Sequence, residues 1–241
     1  MTPKQLYDYF RQQIGDEAVP YLWGEDEVYR YMDEAHKEFV RRIGGVADSS
    51  TEAVVRVEFG PNEAFANLSP LILTVRDAYR EEDSRVVDVF NIEDFKYDNL
   101  GRNMRREDYY SPWVSWNRNV GPEWRKRTGS PVKAVIVGME RNKLRAWPIP
   151  VDSDAVILDV YRLPLLEINK GKNCFFEVDE QHHIHLLDWM YHLAYSKQDV
   201  DTHDEQKAAK FEKSFVDYTE RVWKENERKR HKPRKVKYGG I

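Results

Sequence analysis

Cysteine is almost missing from this chain: Cys174 is the only one in 241 residues. That excludes an intrachain disulfide framework and a cysteine-based metal site, and it fits folding in a reducing cytoplasm. No apolar run approaches the roughly eighteen residues that a membrane helix needs. The first residues, Met1-Thr2-Pro3-Lys4, pass straight into helix signals rather than into the apolar core of a signal peptide. Phosphate-binding glycine patterns are missing as well, with neither GxxxxGK[ST] nor GxGxxG present. The nucleophile elbow GxSxG and the zinc helix HExxH do not occur either.

What the chain has in excess is charge and aromatic surface. Charged residues make up 33% of it, above the usual quarter, and hydrophobic residues at 41% still suffice for a core. Seven Trp and fourteen Tyr suit either dense packing or extensive interfaces. The net charge of −4 conceals a polarity. Seven basic residues and no acidic one lie between Arg228 and Lys237. Taking those seven from the 38 basic residues leaves 31 against 42 acidic ones, a body charge of −11. A basic tail on an acidic body is suited to docking on something negative, or to serving as a solvated end.

Periodicity divides the chain. Thr2, Pro3 and Gln5 open a first helix with Leu6, Phe10 and Ile14 on one face. Val28, Met32, Ala35, Phe39 and Ile43 line a second helix, which Gly44-Gly45 ends. From residue 51 the period becomes two, with strands expected near 51–59, 71–79, 86–90, 132–137, 143–147 and 155–162. Residues 98–129 read as a long exposed loop with a helical turn near Trp124. The last third is helical again, first over 179–197. A second capping box at Thr202 and Glu205 then opens a long helix with Ala208, Phe211, Phe215, Tyr218 and Val222 as its seam. The expected fold class is α+β and mainly helical: a bundle of N- and C-terminal helices, an inserted β-rich lobe and an extended basic tail. The expected division is helices over 1–50, lobe over 51–170, helices over 171–227 and tail over 228–241.

Several groups of residues invite a chemical reading. His182, His183, His185, Asp188 and His192 could hold a divalent metal, since His185, Asp188 and His192 share a helical face. Polar positions on the solvated side of an amphipathic helix explain them better. Asp199, Asp201 and Asp204 resemble a calcium loop only until its sixth and twelfth positions are counted, which are Asp204 and Lys210 rather than Gly and Glu. Helix capping accounts for them. Carboxylate pairs such as Asp33-Glu34 are expected by chance among 42 acids. No catalytic residue, metal or cofactor is therefore assigned.

Interface residues are another matter. Arg105, Arg106, Tyr109, Tyr110, Trp113, Trp116 and Trp124 interleave cations with aromatics, which suits a protein interface or single-stranded nucleic acid. The acidic body favours the protein interface. Arg228, Lys229, Arg230, Lys232, Arg234, Lys235, Lys237 and Tyr238 form the candidate strap.

Four stretches in order resemble the head-to-tail adaptor, or connector, proteins of tailed bacteriophages. They are residues 23–35, opening Trp23-Gly24-Glu25-Asp26; Thr128-Gly129-Ser130-Pro131 with Leu144-Arg145-Ala146-Trp147-Pro148-Ile149-Pro150; Tyr161-Arg162-Leu163-Pro164-Leu165; and residues 192–199, continuing through Asp201-Thr202 to Phe211 and Phe215. Together they span about 200 residues, and residues 98–129 depart from the pattern by being longer and more basic. The resemblance implies a non-enzymatic homo-oligomer, commonly a twelve-fold ring. It would sit in the virion at the head–tail junction after synthesis in the host cytoplasm. Its implied partners are the portal protein, a tail tube or nozzle protein, and genomic DNA passing through without sequence-specific binding. Two rival readings stand beside it. One is a nucleic-acid-binding protein using the aromatic and basic loop and the tail. The other is a peptidoglycan hydrolase, which some adaptors resemble in function but which no residue here supports.

Overall fold

The structure is a computed structural model that describes residues 1–92, 124–171, 174–199 and 202–230. The chain divides into two compact units, one made of Met1–Val46 with Leu163–Ile241 and the other of Ala47–Arg162.

The first unit is helical. Helix α1 (Pro3–Ile14) opens with the expected capping box, in which Gln5 N–H donates to Thr2 Oγ1 at 3.2 Å and Thr2 N–H donates to Gln5 Oε1 at 2.8 Å. Helix α2 (Glu25–Arg42) gathers Glu25, Asp26 and Glu27 in its first turn, where they complement the dipole. It stops at Gly44 and Gly45, whose φ values of 86° and 92° only glycine adopts at little cost. The link between α1 and α2 is pinned by Asp16, which accepts from Leu22 N–H, Trp23 N–H and the buried Arg11 guanidinium.

Helix α4 (Leu186–Ser196) packs against α2 and against the long α5 (Glu205–Arg230). Phe39 of α2 and Phe215 of α5 meet edge to face at 6.1 Å, and Trp23 Nε1–H donates to Ala194 O at 3.1 Å. Leu6, Phe10, Met32, Leu186 and Met190 complete a fully buried core.

Among the described residues, the second unit is a sheet of eight strands. These are β1 (Val46–Asp48), β2 (Arg56–Phe59), β3 (Phe65–Asn67), β4 (Ile72–Arg80), β5 (Val86–Asn91), β6 (Ala134–Val137), β7 (Lys143–Trp147) and β8 (Asp154–Arg162). A single helical turn, α3 (Glu52–Val55), precedes β2. The strand order is β1-β8-β4-β5-β6-β7-β3, with β2 also paired to β8. Two register shifts between β4 and β8 are bulges of the kind that bend a sheet, and the sheet curls into a half-barrel. On β8 the alternation is complete: Val156, Leu158 and Val160 point into a core shared with Val57, Phe59, Leu144 and Ala146.

Strands β5 and β6 pair in parallel, Asp88 with Ala134 through Asn91 with Val137. A parallel pair needs a crossover of a dozen residues or more. The connection between β5 and β6, residues 92–133, is long enough for such a crossover.

The expectation of a mainly helical bundle is corrected by this architecture. Among the described residues helix accounts for 41% and strand for 23%, and the half-barrel has its own hydrophobic core. The expectation gave too much weight to the helical stripes and too little to strands that a short period makes hard to weigh. The start of the expected extended tail is corrected too: Arg228, Lys229 and Arg230 are the last residues of α5, and the rest of the tail lies outside the described residues.

Candidate interaction surfaces

The histidines of the metal reading are engaged with other groups of the protein. A 3₁₀ turn, Glu180–His185, carries the first three. His182 Nδ1 lies 2.9 Å from the Tyr218 hydroxyl, and His183 Nε2 lies 3.0 Å from the Val178 carbonyl. His185 stacks on Tyr218 with centroids 3.5 Å apart. His192 Nδ1 reaches the Ala208 carbonyl at 3.1 Å, while Asp188 accepts from Ser214 Oγ at 2.9 Å. Burial pushes His182 and His185 down and the Asp188 carboxyl up, each toward its neutral form. Among the described residues no three His, Cys, Asp or Glu side chains gather round one point.

The expected capping box at Thr202 and Glu205 resolves differently. Asp204 caps α5, its Oδ1 accepting from Lys207 N–H at 3.0 Å and its carbonyl from Ala208 N–H at 2.9 Å. Asp201 lies outside the described residues. Asp204→Ala should lower stability, read as a fall in the denaturant midpoint at unchanged slope.

Of the strap residues, Arg228 and Lys229 are exposed on the last turn of α5, and Arg230 ends it. Cations there suit the helix dipole. Lys232, Arg234, Lys235, Lys237 and Tyr238 lie outside the described residues. So do Arg105, Arg106, Tyr109, Tyr110, Trp113 and Trp116 of the loop. Trp124 opens a 3₁₀ turn, Trp124–Lys126.

That turn belongs to a surface the sequence did not single out. On β7, Leu144 and Ala146 face the core, so Lys143, Arg145 and Trp147 share the other face. Phe65 of β3 pairs in register with Arg145 and lies under two cations, Arg145 at 5.1 Å and Lys143 at 5.8 Å. Arg145 Nη2–H donates to Arg125 O at 2.5 Å, which ties the turn to the strand. Arg127 lies over the Trp147 ring at 5.5 Å, and Ile149 N–H donates to Arg127 O at 2.9 Å. Burial, and after it the charge of Arg125, push the Arg145 guanidinium below its usual value.

A second feature lies in the helical unit. Residues 163–179 lead into the 3₁₀ turn and are fastened along α2 by backbone amides. Ile168 N–H donates to Asp33 Oδ1 at 2.9 Å, and Glu177 N–H donates to His36 Nε2 at 3.1 Å. A groove of about 550 Å³ runs between Asp26, Tyr29 and Arg30 of α2 and residues 167–170.

The profile of the SU10 adaptor protein family matches residues 1–237. The chain belongs to that family. None of the curated proteins compared matches it. Membership supports a phage structural adaptor role and implies a component of the virion. It also implies assembly with other head and tail proteins. No helix among the described residues is long and apolar enough to cross a membrane.

Proposed function

We propose that the adaptor is one subunit of a ring, commonly twelve-fold, that joins the portal to the tail and surrounds the path of the genome. The observation that carries this reading is the family match over residues 1–237. Charge polarity supports it: an acidic body repels phosphate and lets DNA slide, while the cationic end of the chain can seek a negative surface. In this reading the strap from Arg228 to Tyr238 meets the portal, and the loop from Arg105 to Trp124 meets a neighbouring copy or the tail.

The test mixes purified adaptor with its cognate portal and measures the mass of the complex. The full chain should form a ring on the portal. A chain ending at Arg230 keeps α5 whole, so its failure to associate would assign the strap to the portal contact. No association of the full chain in low or moderate salt would overturn the ring reading.

A further inference from the structure

The face of β7 that turns away from the half-barrel core gathers cations on purpose-built supports. Exposed Arg125, Lys126, Arg127 and Lys143 surround the pair Phe65–Arg145 and the ring of Trp147. Holding like charges together is unfavourable on its own, and Arg145 sits among them with almost no exposure. Among the described residues Glu140 lies on this side: it pairs with Lys143 at 2.6 Å and acts on Arg145 through its field.

Charge density and the state of the aromatic rings choose among negative partners. Arg125, Lys126 and Arg127 are consecutive and exposed, and exposed Lys143 shares the Phe65 ring with Arg145. Cations grouped so closely match the dense, regular charge of a duplex, one per about 1.7 Å of axis, better than the scattered carboxylates of an acidic protein. The aromatic planes also carry their own cations, with Lys143 and Arg145 over Phe65 and Arg127 over Trp147. They act as platforms that stiffen the charges, not as open stacking surfaces for bases.

We propose that this face, with Lys126, Arg127 and Lys143 as its contacting cations and Arg145 as the residue that positions the turn, takes the phosphate backbone of duplex DNA without regard to sequence. The inference is independent of the strap and of portal binding. On a body of net charge −11 such a face gives weak, salt-sensitive and reversible contact, which steadies a moving duplex without trapping it.

The experiment is salt-dependent binding of the full-length adaptor to a random-sequence duplex of about 20 base pairs. It compares wild type with the triple variant Lys126→Ala/Arg127→Ala/Lys143→Ala and with the charge-keeping Lys126→Arg/Arg127→Lys/Lys143→Arg. Each lost phosphate contact removes about 0.9 from the slope of log K against log salt. The alanine triple should lose roughly two to three units of slope and bind at least about tenfold more weakly near 0.1 M salt, while the charge-keeping triple stays near wild type. Thermal melting and portal association, measured on the same variants, separate this outcome from misfolding and from failure of the ring reading. An unchanged slope in the alanine triple would overturn the proposal. So would absence of wild-type retention at about 50 mM salt, or equal wild-type affinity for polyglutamate at matched charge, which would mark an acidic-protein site.

Discussion

Arg162→Met is expected to destabilise the half-barrel by about 3–5 kcal/mol. Arg162 ends β8 and is 6% exposed; its Nε–H donates to Asp48 Oδ2, and Asp48 is 8% exposed. The other carboxylate oxygen accepts from Ser50 N–H and Thr51 N–H, both at 3.0 Å. Burial alone would push the Asp48 carboxyl up. Hydrogen bonds from Thr51, Arg162 and Ser50 outweigh burial and hold it well below the usual carboxylate value. Removing Arg162 leaves an ionised group buried among backbone amides that cannot neutralise it. The loss comes from that uncompensated charge rather than from the missing contact, and a second substitution can show this. Asp48→Asn in the Arg162→Met background keeps an acceptor for the two amides and removes the charge. It should recover a large part of the stability, giving a coupling of about 1–3 kcal/mol in a double-mutant cycle measured by denaturant unfolding. Simple additivity of the two changes would reject the account. Sign and pH agree: a carboxyl lowered in the folded state stabilises above its unfolded value near 3.8, and that contribution is lost as pH falls below it.

Legibility in the sequence follows the length over which a pattern can repeat. Val28, Met32, Ala35 and Phe39 announce α2 because several turns agree on one face, and all four are fully buried. Strand β8 is legible because Ala155 to Tyr161 is apolar but for Asp159, and in the structure burial alternates from Ala155 to Arg162. Strands β1 and β3 have three residues each, too few to establish any period, and they take shape only because β8 and β7 offer edges. The start of the strand expected from residue 51 is instead the helical turn α3, where Val54 and Val55 N–H both donate to Thr51 O. At α5, Thr202 and Asp204 are both good caps by composition. The chain path, with Asp204 N–H donating to Tyr195 O at 3.1 Å, decides for Asp204.

The surfaces divide along similar lines. The tail and the loop were conspicuous because their charges and aromatics are consecutive. The β7 face was not, because Lys143, Arg145 and Trp147 look like an ordinary half-polar strand until Phe65 is placed opposite Arg145 and the 125–127 turn beside them. Their sequence signal was the alternation itself, with the charged residues on the side away from Leu144 and Ala146. What no linear reading supplies is the cross-strand partner.

The second large effect should appear with pH rather than with mutation alone. His36 sits on α2 with no exposed surface, and its ring meets Phe176 edge to face at 5.4 Å. Nε2 accepts the Glu177 amide proton, so the hydrogen bond exists only while that nitrogen is unprotonated. Burial pushes the imidazole down to about 4 from its usual 6.5. The groups facing it divide, with Glu177 of the 163–179 segment and Asp33 of α2 favouring the charged form and His183 of the 3₁₀ turn and Lys37 of α2 opposing it. Because the folded value is the lower one, the unfolded chain takes up a proton below pH 6.5 that the folded chain refuses until about pH 4. Stability is therefore full above pH 6.5 and declines by about 1.4 kcal/mol per pH unit down to pH 4, a loss of about 3 kcal/mol over the window. Other groups also respond to the change of pH, so the informative quantity is the difference between wild type and His36→Gln. Gln can accept the Glu177 amide bond but cannot take a proton. Denaturant unfolding at pH 7, 5.5 and 4 should show His36→Gln gaining on wild type by about 3 kcal/mol as the pH falls, whatever its offset at neutrality. Parallel curves would mean that the fastening of residues 163–179 to α2 does not depend on a neutral His36.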